Sequence, residues 1–153
     1  MTPQDIVKQF LPKLNIMQLA TSSDNKPWAC NVHYYSDEGL NFYWISTLET
    51  RHSQDIAQNQ QVAATILVHE NTPEENYVIG ISIEGTAELV GENIDDQIGE
   101  AYVKKHGKGP NLVRDIASGS NPHKFYCLKP SKIVLFDSKN FPKNPRQEWK
   151  PAK

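Results

Sequence analysis

Residues 27–61 read PWACNVHYYSDEGLNFYWISTLETRHSQDIAQNQQ, and this stretch decides the fold. From Trp28 to Tyr35 the alternation puts Cys30, Val32 and Tyr34 on one face and Asn31, His33 and Tyr35 on the other. The second face is too polar for a plain core. SDEG, ending at Gly39, reads as a hairpin loop, and Leu40 to Ser46 returns as an antiparallel strand rich in aromatics. Thr47 to Glu49 then leads into a short helix that begins near Thr50 and carries Arg51 and His52 in its first turn. A hairpin feeding such a helix builds an anion site. The leading N–H groups of a helix have no intrahelical partners, and a guanidinium beside them holds a phosphate by paired, charge-assisted hydrogen bonds. A phosphorylated small molecule is the first ligand this pattern suggests.

Upstream, Thr2 as N-cap, Pro3 at N1 and Asp5 in the first turn open a helix whose apolar stripe is Ile6, Val7, Phe10, Leu11 and Leu14. Ile16 to Thr21 suits a strand, closed by the turn-rich SSDNKP. Downstream, Val62 to His69 reads as a strand. After ENTPEEN comes the clearest period-two signal, with Tyr77, Ile79, Ile81, Ile83, Ala87 and Leu89 facing one way and Ser82, Glu84, Thr86 and Glu88 the other. Ile94 to His106 has helical spacing, GKGPN stops it, and Leu112, Val113 and Ile116 predict another short helix. The last two strands fall at Phe125 to Leu128 and Lys132 to Asp137, and the tail from about residue 138, with its prolines and mixed charge, reads as irregular. Short strands joined mostly by hairpin loops argue for one mainly β domain over residues 1–153: a nearly closed antiparallel, Greek-key-like barrel with peripheral helices.

Composition narrows the function. A net charge of -2 gives no electrostatic footprint for nucleic acid or an anionic membrane. No apolar run is long enough to cross a bilayer, and MTPQDIVKQF has charges where a secretion signal carries its apolar stretch, so a cytoplasmic protein is expected. Cys30 and Cys127 read as two reduced thiols. The five histidines, at 33, 52, 69, 106 and 123, show no metal-ligand spacing, and no G-x-S-x-G elbow or P-loop is present. Ser46 and Thr50 read as phosphate donors rather than nucleophiles. Trp28 and Trp44 suit either barrel packing or stacking on a ligand, and His33 either a structural or a groove position.

Five segments in order, LATSSDNKPWACNVHYY (19–35), LNFYWIS (40–46), TRHSQDIAQNQQVAATI (50–66), IEGTAELV (83–90) and FYCLKPSKIVLFD (125–137), resemble the pyridoxamine 5'-phosphate oxidase-like superfamily of FMN-binding split barrels, in particular its small bacterial branch with a TRH element. The resemblance implies a homodimer with FMN at the subunit interface. It implies phosphate binding by Arg51-His52, where the family carries Arg-Lys, and a groove lined by Asn31, Val32 and His33 and by Trp44, Ile45, Ser46 and Thr47. A flavin-dependent oxidoreductase acting on a small molecule is the implied activity. A non-catalytic flavin or haem carrier on the same fold is the alternative, and deazaflavin is an alternative cofactor. KNPRQEWKPAK does not match the family's arginine- and histidine-bearing substrate segment, so true pyridoxamine 5'-phosphate oxidase activity is not expected.

Overall fold

A computed structural model describes residues 1–91 and 93–152. Helix α1 (Pro3–Phe10) starts as its sequence dictates: Thr2 Oγ1 accepts from the Asp5 amide while the Asp5 carboxylate accepts from the Thr2 amide. Ile6 and Val7 are buried, and Leu11 follows them into the core from a 3₁₀ turn at Leu11–Lys13. Strands β1 (Ile16–Ser23) and β2 (Lys26–His33) pair in continuous register. Asp24 and Asn25, at φ 55° and 60°, make the two-residue turn whose twist matches the strands it joins.

The remaining elements are β3 (Tyr35–Ser36), β4 (Phe42–Ser46), α2 (Arg51–Gln58), β5 (Gln61–His69), β6 (Ile79–Gly91), α3 (Asp96–His106), α4 (Leu112–Ser118), β7 (Lys124–Asp137) and β8 (Arg146–Trp149). The sheet runs β2-β1-β5-β6-β7-β4-β3 with every pairing antiparallel. β2 and β3 are consecutive in the chain yet lie at opposite ends of that order. The sheet therefore curls on itself, and Tyr34, fully buried, bridges its seam. β7 gives one edge to β6 and divides the other, Lys124–Leu128 pairing with β4 and Ile133–Phe136 with β8. This is a mainly β split barrel with peripheral helices. No described helix is long and apolar enough to cross a membrane.

Alternation fills the barrel. Met17, Leu19, Phe42, Trp44, Ile66, Ile81, Ile83, Leu128, Ile133 and Leu135 all point inward and are essentially fully buried. Each such side chain contributes about 1.5–3 kcal/mol of burial free energy. A second cluster, Tyr43, Ile94, Tyr102, Ile116, Phe125 and Cys127, lies under α3 and α4. Gly85 sits where β7 leaves no room for a side chain on β6. A Cβ there would stand 2.3 Å from the Lys129 carbonyl oxygen and 2.9 Å from Pro130 Cα, at the point where the pairing register slips. α3 ends where expected, with Gly107 as left-handed C-cap at φ 61°.

Five expectations change. The predicted hairpin between Trp28–Tyr35 and Leu40–Ser46 shrinks to Tyr35 and Ser36 opposite Tyr43 and Phe42, because β2 spends its pairing on β1. Tyr35 accordingly leaves the Asn31 and His33 face and packs on the second cluster. Phe125–Leu128 and Lys132–Asp137 belong to one strand, since Pro130 sits at the register slip, where its missing N–H costs no ladder bond. The tail is not irregular throughout: Arg146–Trp149 takes the free edge of β7. Leu89 is 49% exposed rather than buried, because a further slip between Leu89 and Gly91 ends the regular alternation, and Val90 packs on the second cluster instead.

Candidate functional site

Helix α2 lies across the end of β1 and β2, and its N-terminus collects the polar side chains of the site. Thr50 is the N-cap, and its Oγ1 accepts from the Ser53 amide at 3.3 Å. The amides of Arg51 and His52 have no acceptor among the described residues, as the first N–H groups of a helix require. Around them stand three hydroxyls and an imidazole: Ser46 Oγ is 2.9 Å from Thr50 Oγ1, 2.9 Å from His52 Nε2 and 3.2 Å from Ser53 Oγ. Ser46 and Ser53 are buried, so this cluster is fixed from below.

His52 is tied on its other side to β2, with Nδ1 3.3 Å from Cys30 Sγ. Burial lowers the His52 pKa, opposed by the Asp55 carboxylate. Burial also raises that of the Cys30 thiol, so the pair rests as neutral thiol and neutral imidazole. A neutral imidazole has one N–H and one lone pair, which matches its two neighbours.

Arg51 is held by geometry. Its Nε donates to both oxygens of Asp55, at 3.1 and 3.2 Å, one helical turn ahead. Its Nη2 donates to the Lys26 carbonyl at 3.4 Å, and its guanidinium lies 5.1 Å from the Trp28 ring centroid. Asp55 is only 4% exposed and also accepts from Thr21 Oγ1 at 2.8 Å. A buried carboxylate thus orients a half-exposed guanidinium beside the open end of a helix. That arrangement suits a dianionic phosphate, with backbone N–H, hydroxyl and guanidinium donors converging on it.

The structure brings Ser46, Thr47, Thr50, Arg51 and His52 together, with the Thr47 carbonyl accepting from Thr50 Oγ1 at 3.3 Å. It sets the rest apart. Asn31 and His33 are exposed on the outer face of β2, where Asn31 accepts from Gln18 Nε2 at 2.9 Å and the His33 ring meets that of His106 at 5.2 Å. Val32 and Ile45 are half-buried against the two apolar clusters. The Trp44 side chain is wholly in the barrel, stacked on Tyr126 at 5.7 Å, so only its backbone is placed to meet a ligand. Trp28 does not fill the barrel but lies at the surface under Arg51. Sequence reasoning missed Ser53, Thr21 and Asp55. The four-residue spacing of Arg51 and Asp55 was the readable signal for the last.

Comparison with known proteins gives the same fold. A match at 29% identity over 62 residues links the chain to a UPF0306 protein of Photorhabdus laumondii, spanning 40% of this chain and 43% of that protein, less than half its length. A heme binding protein from Mycobacterium smegmatis superposes with a TM-score of 0.66 over 93% of this chain and 55% of its own, at 14% identity. A FAD-binding protein from Mesorhizobium loti does so with a TM-score of 0.57 over 87% and 92%, at 18% identity. The family model described as pyridoxamine 5'-phosphate oxidase matches residues 4–136. With the split barrel, the open helix end and a match over most of its length, the chain belongs to the pyridoxamine 5'-phosphate oxidase family.

Proposed function

We propose that this protein binds FMN with its phosphate at the first turn of α2 and acts as a flavin-dependent oxidoreductase on a small molecule. The observation that carries the reading is the cradle itself: two amides without acceptors, three hydroxyls and a guanidinium oriented by a buried carboxylate. Arg51, Ser46 and Thr50 hold the phosphate, while the backbone of Ile45 to Thr47 and the β2 residues Asn31 to His33 border the rest of the groove. Bound flavin supplies the hydride or electron chemistry, and the protein binds, orients and excludes water.

The same reading includes a two-fold dimer. Strand register places Asn31, Gln18, Thr65, Ser82 and Val134 in one row on the outer face of the sheet, and Leu67, Gly80 and Phe136 in the next. Ile16, Leu67 and Phe136 on this face are 43%, 57% and 41% exposed, and Gly80 leaves the surface flat between the last two. Apolar side chains gathered on one open sheet face mark an interface, and a second copy supplies the matching surface. Light scattering is expected to give about twice the 17.3 kDa chain mass.

Absorbance of the purified protein tests the cofactor, and reconstitution with FMN tests its stoichiometry. A flavin spectrum at one FMN per chain is the expected result. A Soret band without flavin, or no FMN binding, overturns it in favour of a haem carrier or another ligand. Anaerobic bleaching by NADH or NADPH is expected of an oxidoreductase, and failure to bleach with either donor leaves a binding protein.

A further inference from the structure

On the far side of the seam, between the 3₁₀ turn, β3 and α3, lies a cavity of about 540 Å³. Its walls include Tyr35, Asn15 and Ser36, with Glu38, Lys104 and Lys105 as its charged groups. Lys105 is half-buried, with Nζ 3.9 Å from the Tyr34 ring centroid and donating to the Leu11 carbonyl at 3.3 Å. No carboxylate among the described residues lies within ion-pair distance of Lys104 or Lys105. A half-buried ammonium without a counter-ion is desolvated with only a neutral ring and one carbonyl to offset the loss, and burial lowers the Lys105 pKa to about 8. Roughly a tenth of this amine is unprotonated at pH 7, against well under a hundredth for an ordinary lysine.

We propose that this cavity is a second ligand site, in which Lys105 captures a small carbonyl-bearing acid as an imine and Lys104 pairs with its carboxylate. The amine lone pair adds to the carbonyl carbon, and the C=O π pair moves to oxygen, which takes a proton from the nitrogen. The carbinolamine then expels water as the C=N bond forms and nitrogen gives up its proton, with no change of oxidation state. Glu38, on the same wall, is the carboxylate available to take up a proton from the nitrogen and relay it to the departing hydroxyl. The local hydrogen bonds tolerate the conversion: the Leu11 carbonyl also accepts from Tyr34 Oη at 2.8 Å, so it keeps a donor when the Lys105 nitrogen has none to give. The amine differs from its neighbour in the chain, since Lys104 is exposed and carries the ligand's charge instead. This site stands apart from the α2 cradle and does not depend on the flavin reading.

Reductive trapping tests it. The full-length protein is incubated with glyoxylate and cyanoborohydride at pH 7, and peptide mass spectrometry reads the labelling rate at each lysine. Lys105 is expected to label at least about ten-fold faster than Lys104, which serves as internal control, and its rate is expected to saturate with glyoxylate. In Lys105→Arg that fast phase disappears while circular dichroism stays native, and Lys104→Ala raises the half-saturating concentration without abolishing the label. Equal rates at Lys104 and Lys105, or a Lys105 rate that stays linear in glyoxylate, overturns the proposal.

Discussion

Replacing Arg51 with alanine separates what this side chain does for the fold from what it does for an anion. The Asp55 carboxylate, 4% exposed, receives Arg51 Nε at 3.1 and 3.2 Å and Thr21 Oγ1 at 2.8 Å. In the variant it keeps the hydroxyl and loses the cation. The Arg51 side chain is 40% exposed, so water enters in its place. The stability cost then falls near 1–2 kcal/mol, about half or less of the penalty for breaking a fully buried pair. With FMN bound as proposed, the variant is expected to lose one or two charge-assisted hydrogen bonds worth about 1.5–3 kcal/mol each, which would raise the Kd about ten-fold to a hundred-fold or more. Urea denaturation measures the first effect and FMN fluorescence titration the second. Arg51→Lys is expected to fall between, since it keeps the charge but not the guanidinium fork that reaches Asp55 and phosphate together. An FMN Kd within about three-fold of the parent protein, in an Arg51→Ala variant with native circular dichroism, refutes the assignment of Arg51 to the phosphate.

His52 makes the site pH-dependent in two opposite senses. Because burial lowers its pKa, the unfolded chain takes up the proton first, so its contribution to stability is present above about pH 6.5 and is lost as pH falls through the folded value. His52→Gln is expected to flatten the urea midpoint between pH 7 and pH 5, whereas FMN binding to the parent protein takes up a proton near pH 6.5, seen by calorimetry in two buffers of different ionisation enthalpy. Zero proton uptake there rules out a phosphate beside the ring. Gly85→Ala drives a Cβ to 2.3 Å from the Lys129 carbonyl oxygen, a backbone atom that no rotamer change can move aside, and is expected to cost about 3 kcal/mol in urea; a loss under about 1 kcal/mol shows that β7 yields at Pro130. Pyridoxamine and pyridoxine 5'-phosphates are expected to turn over with kcat/KM below ~10⁴ M⁻¹s⁻¹, since Arg146 is engaged by Glu148 on β8; a higher value shows that the C-terminal strand contributes a substrate contact.

Local rules made much of this legible. The Thr2 capping box, the Thr50 N-cap and the alternation from Ile79 to Ala87 each report a structure that a few neighbouring residues decide. The errors lie where distant backbone decides instead. RQEW has no apolar alternation of its own, and becomes a strand because β7 offers an unpaired edge from Ile133 to Phe136. LKPSK looks like a loop, and stays in a strand because β6 slips register opposite Pro130. At the site, Arg51 and His52 were readable from their place after the hairpin. Their supports Thr21, Cys30 and Asp55 converge only when α2 folds over the β1–β2 hairpin, through contacts between residues 22 and 34 positions apart.

Tyr34 gives the barrel a place to open. Its hydroxyl donates to Leu11, its carbonyl is 2.8 Å from His106 Nε2, and its ring carries Lys105, so two elements, the 3₁₀ turn and α3, hang on the one residue that joins the two ends of the sheet. β2 has a neighbour on one side only, while β6 is flanked by both β5 and β7 from Ile79 to Thr86. Amide exchange in this molecule is therefore graded around the barrel, quickest at the outer edge of β2 and slowest along β6. A ligand seated between α2 and β2 protects the quick side, and slower exchange across Trp28–His33 becomes the signature by which its arrival is seen.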